Sequence, residues 1–256
     1  MTIRLLQISD CHLFADTQKC GYADINPLLT LNAVLDSAKK ERPDRILLTG
    51  DVSGDGSVKS YQHLYNALDS RGWLANTRMI PGNHDDPNLM MRQFNDKICR
   101  VNGFEDVGQW RFHYLNSHHE GTKGLVEKSR LDELEQDISQ ASEKHQIVAV
   151  HHHPLDCIHW MDKHDWVNRD EFLQLMHFMP KPVRVLYGHV HHAVNRTFNA
   201  QEYYACPSTC WQWAQTEQFG VSDVAPGYRM IELGNNGEWL TWINRIEWSV
   251  DLQTEA

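Results

Sequence analysis

No stretch of the 256 residues approaches the ~20 consecutive apolar positions that a membrane-spanning helix needs. Positive charge is also in short supply. The 24 Lys and Arg stand against 34 Asp and Glu, for a formal charge of −10, which argues against non-specific binding to nucleic acid or to acidic membranes. An anionic small molecule is still compatible with that balance, because bound dications reverse the local sign of a site. The six cysteines (11, 20, 99, 157, 206 and 210) are scattered through a chain too long to need disulfides. No Gly-x₄-Gly-Lys-Ser/Thr phosphate loop and no Gly-x-Ser-x-Gly nucleophile elbow occurs. Cys206 and Cys210 have no second pair to complete a zinc knuckle, and His118-His119-Glu120 is not followed by the Pro-Cys-x-x-Cys of zinc deaminases. Asp51 to Gly56 departs from a calcium loop at Ser53, and Gln62 stands where the closing Glu belongs. Met1-Thr2-Ile3-Arg4 enters an apolar run with no charged-then-apolar leader. Together with reduced thiols, this predicts a cytoplasmic chain.

What is present is a repeated grammar. Asp10-Cys11-His12 follows Leu5-Leu6-Gln7-Ile8, Gly50-Asp51 follows Ile46-Leu47-Leu48, and Gly82-Asn83-His84-Asp85 follows Met79-Ile80. His151-His152-His153-Pro154 follows Ile147 to Val150, and Gly188-His189-Val190-His191 follows Val183 to Tyr187. Each run reads as a buried strand with Asp, Asn or His at its carboxyl end, which is where α/β sheets bind ligands. Singly, an Asp-x-His triplet is commonplace in solvated loops and Gly-Asp is an ordinary turn signal. A helix cap explains Asn83 or Asp85 but gives no reason for His84 between them. Asp10 and His12 are expected as the last extended residues of the first strand, where period 2 points both to one face. Five such strand ends together predict one shared site with donors for two metal ions.

Helical stripes alternate with these strands. Pro27 after Asn26 is a cap-and-first-turn signal, and Leu28, Leu31, Leu35 and Ala38 continue at helical spacing. Tyr61, Leu64, Tyr65 and Leu68 form a second stripe; Leu131, Leu134, Ile138 and Ala141 form a third. Two or three short strands are expected between 194 and 206, with two more at 228–233 and 239–246. That gives at least eight strands, too many late β elements for simple βα alternation. The expected fold class is α/β, a pair of packed mixed sheets flanked by helices in four layers. It is read as a single domain over residues 1–256 with a short tail from about 245.

The ordered set Asp-x-His, Gly-Asp, Gly-Asn-His-Asp, His, Gly-His-x-His resembles the calcineurin-like metallophosphoesterase superfamily. Leu5 to Phe14, Tyr61-Gln62-His63, His151 to Leu155, Pro207-Ser208-Thr209-Cys210 and Ala225-Pro226-Gly227-Tyr228-Arg229 resemble its class III cyclic nucleotide phosphodiesterases more closely. The resemblance runs from residue 3 to about 245. It implies a four-layer αββα sandwich with two metal sites. Asp10, His12, Asp51 and His191 hold the first ion; Asp51 bridges to the second, which Asn83, His151 and His189 complete. His151 is favoured over His152 as the ligand, with His153 a loop residue. His84 stands outside the metals as the catalytic acid, oriented by Asp85 or Asp55. His12, Asn83, His84 and His191 are expected around the substrate phosphate. Cys11 is read as a small filler pointing away.

Nitrogen and oxygen donors without thiolate fit Mn, Fe, Zn or Co and do not choose among them. Two cations roughly 3.5–4 Å apart clamp phosphodiester oxygens and turn bound water into hydroxide near neutral pH. The implied reaction is hydrolysis of 3′,5′-cyclic AMP to 5′-AMP by metal-bound hydroxide. His84 protonates the leaving oxygen or stabilises the charge building on it, worth typically ~10²–10⁴-fold. Trp160, Trp166, Trp211 and Trp213 are candidates to line the mouth and stack on a base. The alternative is another phosphodiester or phosphomonoester as substrate. A non-catalytic scaffold of the same fold predicts eroded ligands, whereas all seven ligand positions and His84 are present. The partner is a small cyclic nucleotide, with no nucleic acid and no membrane; oligomeric state is left open.

Overall fold

The central strands are apolar on both faces, and the two faces bury against different layers. Leu5 packs with Leu47, Ile147, Leu186 and Ile231, whereas Leu6 and Ile8 pack with Leu31, Val34 and Leu64. Ile147 and Ala149 face the first group, while Val148 and Val150 face Leu134, Ile138 and Phe172. Period-2 alternation produces this split, and it requires helices outside two stacked sheets.

The computed structural model describes residues 2–248. Its chain begins β1 (Ile3–Ile8), α1 (Pro27–Lys39), β2 (Arg45–Leu48), α2 (Val58–Asp69), β3 (Thr77–Met79) and α3 (Pro87–Ile98). It continues β4 (Asn102–Val107), β5 (Trp110–Leu115), α4 (Lys128–Gln140), β6 (His145–Ala149), α5 (Arg169–His177) and β7 (Val183–Tyr187). There follow β8 (Val194–Phe198), β9 (Gln201–Ala205), β10 (Gln212–Trp213), β11 (Val221–Ser222), β12 (Gly227–Leu233) and β13 (Trp239–Arg245). The tail expected from about 245 falls, from residue 249 on, outside the described residues.

One sheet runs β13-β12-β1-β2-β3 and the other β4-β5-β6-β7-β9-β8; β10 and β11 pair separately. In the first, β1, β2 and β3 are parallel and β12 and β13 antiparallel. In the second, β5, β6, β7 and β9 are parallel, with β4 and β8 antiparallel at the edges. Both sheets are mixed, as expected. The buried Arg229 of β12 crosses between them, donating to the carbonyl oxygens of Val194 (3.0 Å) and Ala205 (2.7 Å). That places a role on the Ala225–Arg229 segment that periodicity does not reveal.

The helix signals match their elements. Asn26 caps α1, its side chain accepting from the N–H groups of Leu28 (3.0 Å) and Leu29 (3.2 Å). In the third stripe Ala141 lies just past the end of α4 as its cap. Among the described residues no helix is long and apolar enough to cross a membrane.

Candidate metal centre

The carboxyl ends of β1, β2, β3, β6 and β7 open onto one edge of the stacked sheets, and the five polar turns meet there. Asp10 and His12 do not extend β1, which ends at Ile8. Both take left-handed backbone conformations (φ 54° and 46°), so their convergence comes from a coiled turn and not from strand alternation. Asp51 (φ 52°), His189 (φ 69°) and His191 (φ 47°) do the same. Asp and His tolerate this region better than most residues, but each instance still costs about 1–2 kcal/mol. Neighbouring loops hold the strain. Asp10 N–H donates to the Gly50 carbonyl (3.0 Å), His12 N–H to that of Asp51 (3.0 Å), and Ser208 Oγ to that of Asp10 (2.8 Å).

The side chains form two clusters that share Asp51. In the first, His191 Nε2 lies 3.0 Å from His12 Nε2 and 3.4 Å from Asp10 Oδ1. In the second, His151 Nε2 lies 3.2 Å from Asn83 Oδ1 and 3.4 Å from Asp51 Oδ2. Donor atoms of Asp51, His151 and His189 lie within 4.8 Å of one another. Asp51 Oδ2 is also 3.7 Å from His12 Nε2, between the clusters, while Asp51 Oδ1 accepts the His84 N–H at 2.9 Å.

Backbone carbonyls fix which nitrogen each ring presents. His151 Nδ1 donates to Thr49 O (2.7 Å) and His191 Nδ1 to Trp211 O (2.9 Å), leaving Nε2 of each toward the cluster. His189 Nε2 donates to His164 O (2.9 Å), which leaves Nδ1 as its free lone pair. Such outer hydrogen bonds orient metal-binding imidazoles. The consequence is lone pairs facing lone pairs in a buried space, which only a proton or a cation makes favourable. Burial pulls His151 down, yet the Asp51 carboxylate lifts it to about 9, so a proton stands where a cation fits. Burial works to raise Asp51, but His151, His84 and His12 hold it well below the usual carboxylate range. Asp10 shows the same balance with His191. Burial depresses His12 to about 3, and burial with His152 and His151 depresses His189. Carboxylates, imidazoles and an amide oxygen are a donor set for borderline divalent ions.

His152 turns away, bonding to Ser117 Oγ at 2.7 Å. Cys11 packs into the first helix–sheet core, where burial pushes its thiol up to about 12. Neither carboxylate expected to orient His84 reaches its ring. Asp85 accepts from the N–H groups of Gly82 (2.9 Å), Ser53 (3.0 Å) and Val52 (3.2 Å), stapling the third loop to the second. Burial and the nearby Asp51 carboxylate nonetheless lift Asp85 to about 6. Asp55 accepts from the Ala15 and Ser57 N–H groups. The exposed His84 is instead placed by its own backbone bond to Asp51 and by an edge contact with His12, at 4.9 Å between ring centres.

A cavity of about 640 Å³ opens over the cluster, reaching His12, Asp51, Asn83, His84, His189 and His191. Aromatic rings line the rest of it and begin in contact with the cluster. Trp213 stacks on His191 (4.6 Å), and Tyr22, Trp160 and Phe219 each lie 5.0 to 5.6 Å from another wall ring. Trp160, Trp211 and Trp213 take the expected place. Trp166 does not: it is fully buried on Phe172, its Nε1–H bonded to Asn168 Oδ1. Tyr22, in the single turn Tyr22–Asp24, and Phe219, in a loop, carry no periodicity and no donor motif that would mark them in the sequence.

The family model described as calcineurin-like phosphoesterase matches residues 3–193. A 3′,5′-cyclic adenosine monophosphate phosphodiesterase (CpdA) of Pseudomonas aeruginosa is 34% identical, over 96% of this chain and 91% of its own. A 3′,5′-cyclic-nucleotide phosphodiesterase of Nostoc sp. is 30% identical over 99% and 96%. Among solved structures, a dimetal phosphatase of Danio rerio covers 93% of this chain and 98% of its own, with TM-score 0.69 and 13% identity. GAP50, an anchor in the inner membrane complex of Plasmodium, gives TM-score 0.67 at 14% identity over 97% and 89%. The last two share the fold alone. The converging donor loops, the stacked mixed sheets and the match over residues 3–193 together establish that this chain belongs to the calcineurin-like phosphoesterase family, whose fold implies a dimetal centre.

Proposed function

We propose that this chain, as a single cytoplasmic domain over residues 1–256, hydrolyses 3′,5′-cyclic AMP to 5′-AMP. Asp10, His12, Asp51 and His191 would hold one transition-metal ion, and Asp51, Asn83, His151 and His189 a second, drawn from Mn, Fe, Zn or Co. The reading is carried by one juxtaposition: a cluster of cation donors and a group of aromatic rings line the same cavity of about 640 Å³. Full-length similarity to cyclic nucleotide phosphodiesterases supports the substrate, and six free cysteines support a reducing compartment.

Bound ions would offset the charge of the phosphate oxygens and lower the pKa of water at the site. The protein's own contribution is placement. The phosphate sits among His12, Asn83, His84 and His191, and the adenine lies against Tyr22, Trp213 and Phe219. The cyclic ester opens by loss of its 3′ oxygen, and His84 gives that oxygen a proton from the cavity side. Because His84 is exposed, water partly substitutes for it. His84→Ala is therefore expected to lower kcat by about 10²-fold, the lower end for a general acid. Single-turnover rates at fixed metal content check this, and an unchanged rate removes His84 from the chemistry.

The wall is tested separately. Base–aromatic stacking is worth about 1–3 kcal/mol per base. Phe219→Ala is expected to raise KM for cyclic AMP at least about 5-fold with kcat little changed. A loss in kcat alone assigns Phe219 to the fold of its loop and not to the base.

The deciding experiment is turnover of cyclic AMP by manganese-loaded protein with the product identified, beside Asn83→Ala and the general ester bis(p-nitrophenyl) phosphate. Formation of 5′-AMP, abolished in the variant, is the expected result. Cleavage of the chromogenic ester without cyclic AMP turnover rejects the substrate and keeps the phosphoesterase.

A further inference from the structure

A second group of donors lies outside the shared cluster, on the loop that follows the histidine triplet. His153 is fully buried, and neither ring nitrogen has a hydrogen-bond partner. Its Nε2 is 3.5 Å from Asp162 Oδ1, beyond hydrogen-bonding geometry. Donor atoms of His153, Cys157 and Asp162 all lie within 4.8 Å of one another. An unmade bond on a buried polar atom costs about 1–3 kcal/mol, so an orphaned imidazole beside a thiol and a carboxylate needs an explanation. Ligand bonds of 2.0–2.3 Å around a tetrahedral ion put neighbouring donor atoms roughly 3.3–3.8 Å apart; the 3.5 Å between His153 Nε2 and Asp162 Oδ1 falls in that range, and the Cys157 sulfur lies within 4.8 Å of both.

We propose that His153, Cys157 and Asp162 form a third cation site, taking zinc or a similarly thiophilic ion, with its fourth position open to water. The thiol proton leaves to solvent as the sulfur–metal bond forms. The sulfur separates this site from the dimetal cluster, whose proposed donors are nitrogen and oxygen only; thiolate selects zinc over manganese. In the metal-free protein, burial and the Asp162 carboxylate push the Cys157 thiol up, so a metal must displace its proton. Asp162 is already positioned: its Oδ1 accepts the Cys157 N–H at 2.7 Å and its Oδ2 the Ile158 N–H at 2.8 Å.

The site has a structural consequence for the cavity. Asp162 lies in the single turn Trp160–His164, and Trp160 reaches across to the 214–216 loop through Nε1–H to Ala214 O (3.1 Å) and N–H to Thr216 O (3.0 Å). An ion joining His153 to Asp162 anchors the segment that carries this aromatic wall. The ring of His153 also stacks on that of His189, at 5.5 Å between centres, so the ion backs the dimetal cluster without sharing a ligand. This inference does not depend on which phosphate ester is the substrate.

Chelator-stripped protein reloaded with cobalt(II) tests it. The expected result is a thiolate-to-cobalt absorption in the near ultraviolet and one more bound ion per chain than in Cys157→Ser, which lacks the absorption. Cys20→Ser, at a thiol on the cavity wall, retains both. Absence of the band in the unsubstituted protein, or its survival in Cys157→Ser, overturns the proposal. Should Cys157→Ser not fold, alkylation of Cys157 in the unsubstituted protein decides, read by peptide mass. Zinc is expected to slow it at least about ten-fold and manganese not to. Equal rates with and without zinc overturn the site.

Discussion

Asp51→Asn is expected to lower cyclic AMP hydrolysis by at least about 10³-fold and to reduce bound metal, while the fold survives. Asp51 Oδ2 lies 3.4 Å from His151 Nε2 and 3.7 Å from His12 Nε2, so one carboxylate serves both clusters. Asparagine keeps an oxygen to accept the His84 N–H but loses the charge and the second acceptor. Several kcal/mol of transition-state stabilisation depends on the paired ions, and each ~1.4 kcal/mol is a factor of ten. Metal analysis and turnover on the same sample check the prediction. Full metal content with near-normal turnover would remove Asp51 from the proposed bridge.

The second large effect is steric. Gly188 lies where the fifth loop crosses the first two. A Cβ there would collide with Ser9 Oγ and stand 2.8 Å from Asp10 Oδ2 and 2.9 Å from the Thr49 carbonyl oxygen. Backbone cannot swing aside as a long side chain can, so Gly188→Ala must push Asp10 away from His191 or part the loops. Overpacking of this kind costs about 1–3 kcal/mol, a fall in Tm on the order of 5 °C for a chain this size. Misplacing ligands by about 1 Å adds a loss near 10²-fold in rate. Gly72→Ala is the control: its φ is positive, at 69°, so alanine is strained there, but nothing lies within 4 Å of a Cβ. It is expected to lose stability with no loss of kcat. Equal loss of activity in both variants would mean that lost stability, and not the crossing at Gly188, is responsible.

The close packing at Gly188 is also why the site was legible at all. Loops that must approach within contact distance while carrying donors accept few residue types, so Gly50-Asp51, Gly82-Asn83-His84 and Gly188-His189-Val190-His191 stand out in the bare sequence. The central strands β1, β2, β6 and β7 were legible because they are buried on both sides and therefore largely apolar. The extended geometry assigned to Asp10 and His12 was not right, since period 2 describes strands and these residues sit in left-handed turns after one. Trp166 failed for a related reason: a tryptophan in a loop is equally at home in a core, and only its neighbour Phe172 decides.

The sequence by itself determined the layered α/β class, the order of the donor loops and the residue types gathered at the strand ends, because burial and backbone sterics act on local pattern. Only the tertiary structure decided which ring nitrogen each histidine presents, that Asp85 staples loops without touching the His84 ring, and that Tyr22 and Phe219 join the tryptophans around the cavity. Those outcomes depend on contacts such as His151 with Thr49 and His191 with Trp211. Their partners come from separate loops, and no local spacing encodes a distance across the fold.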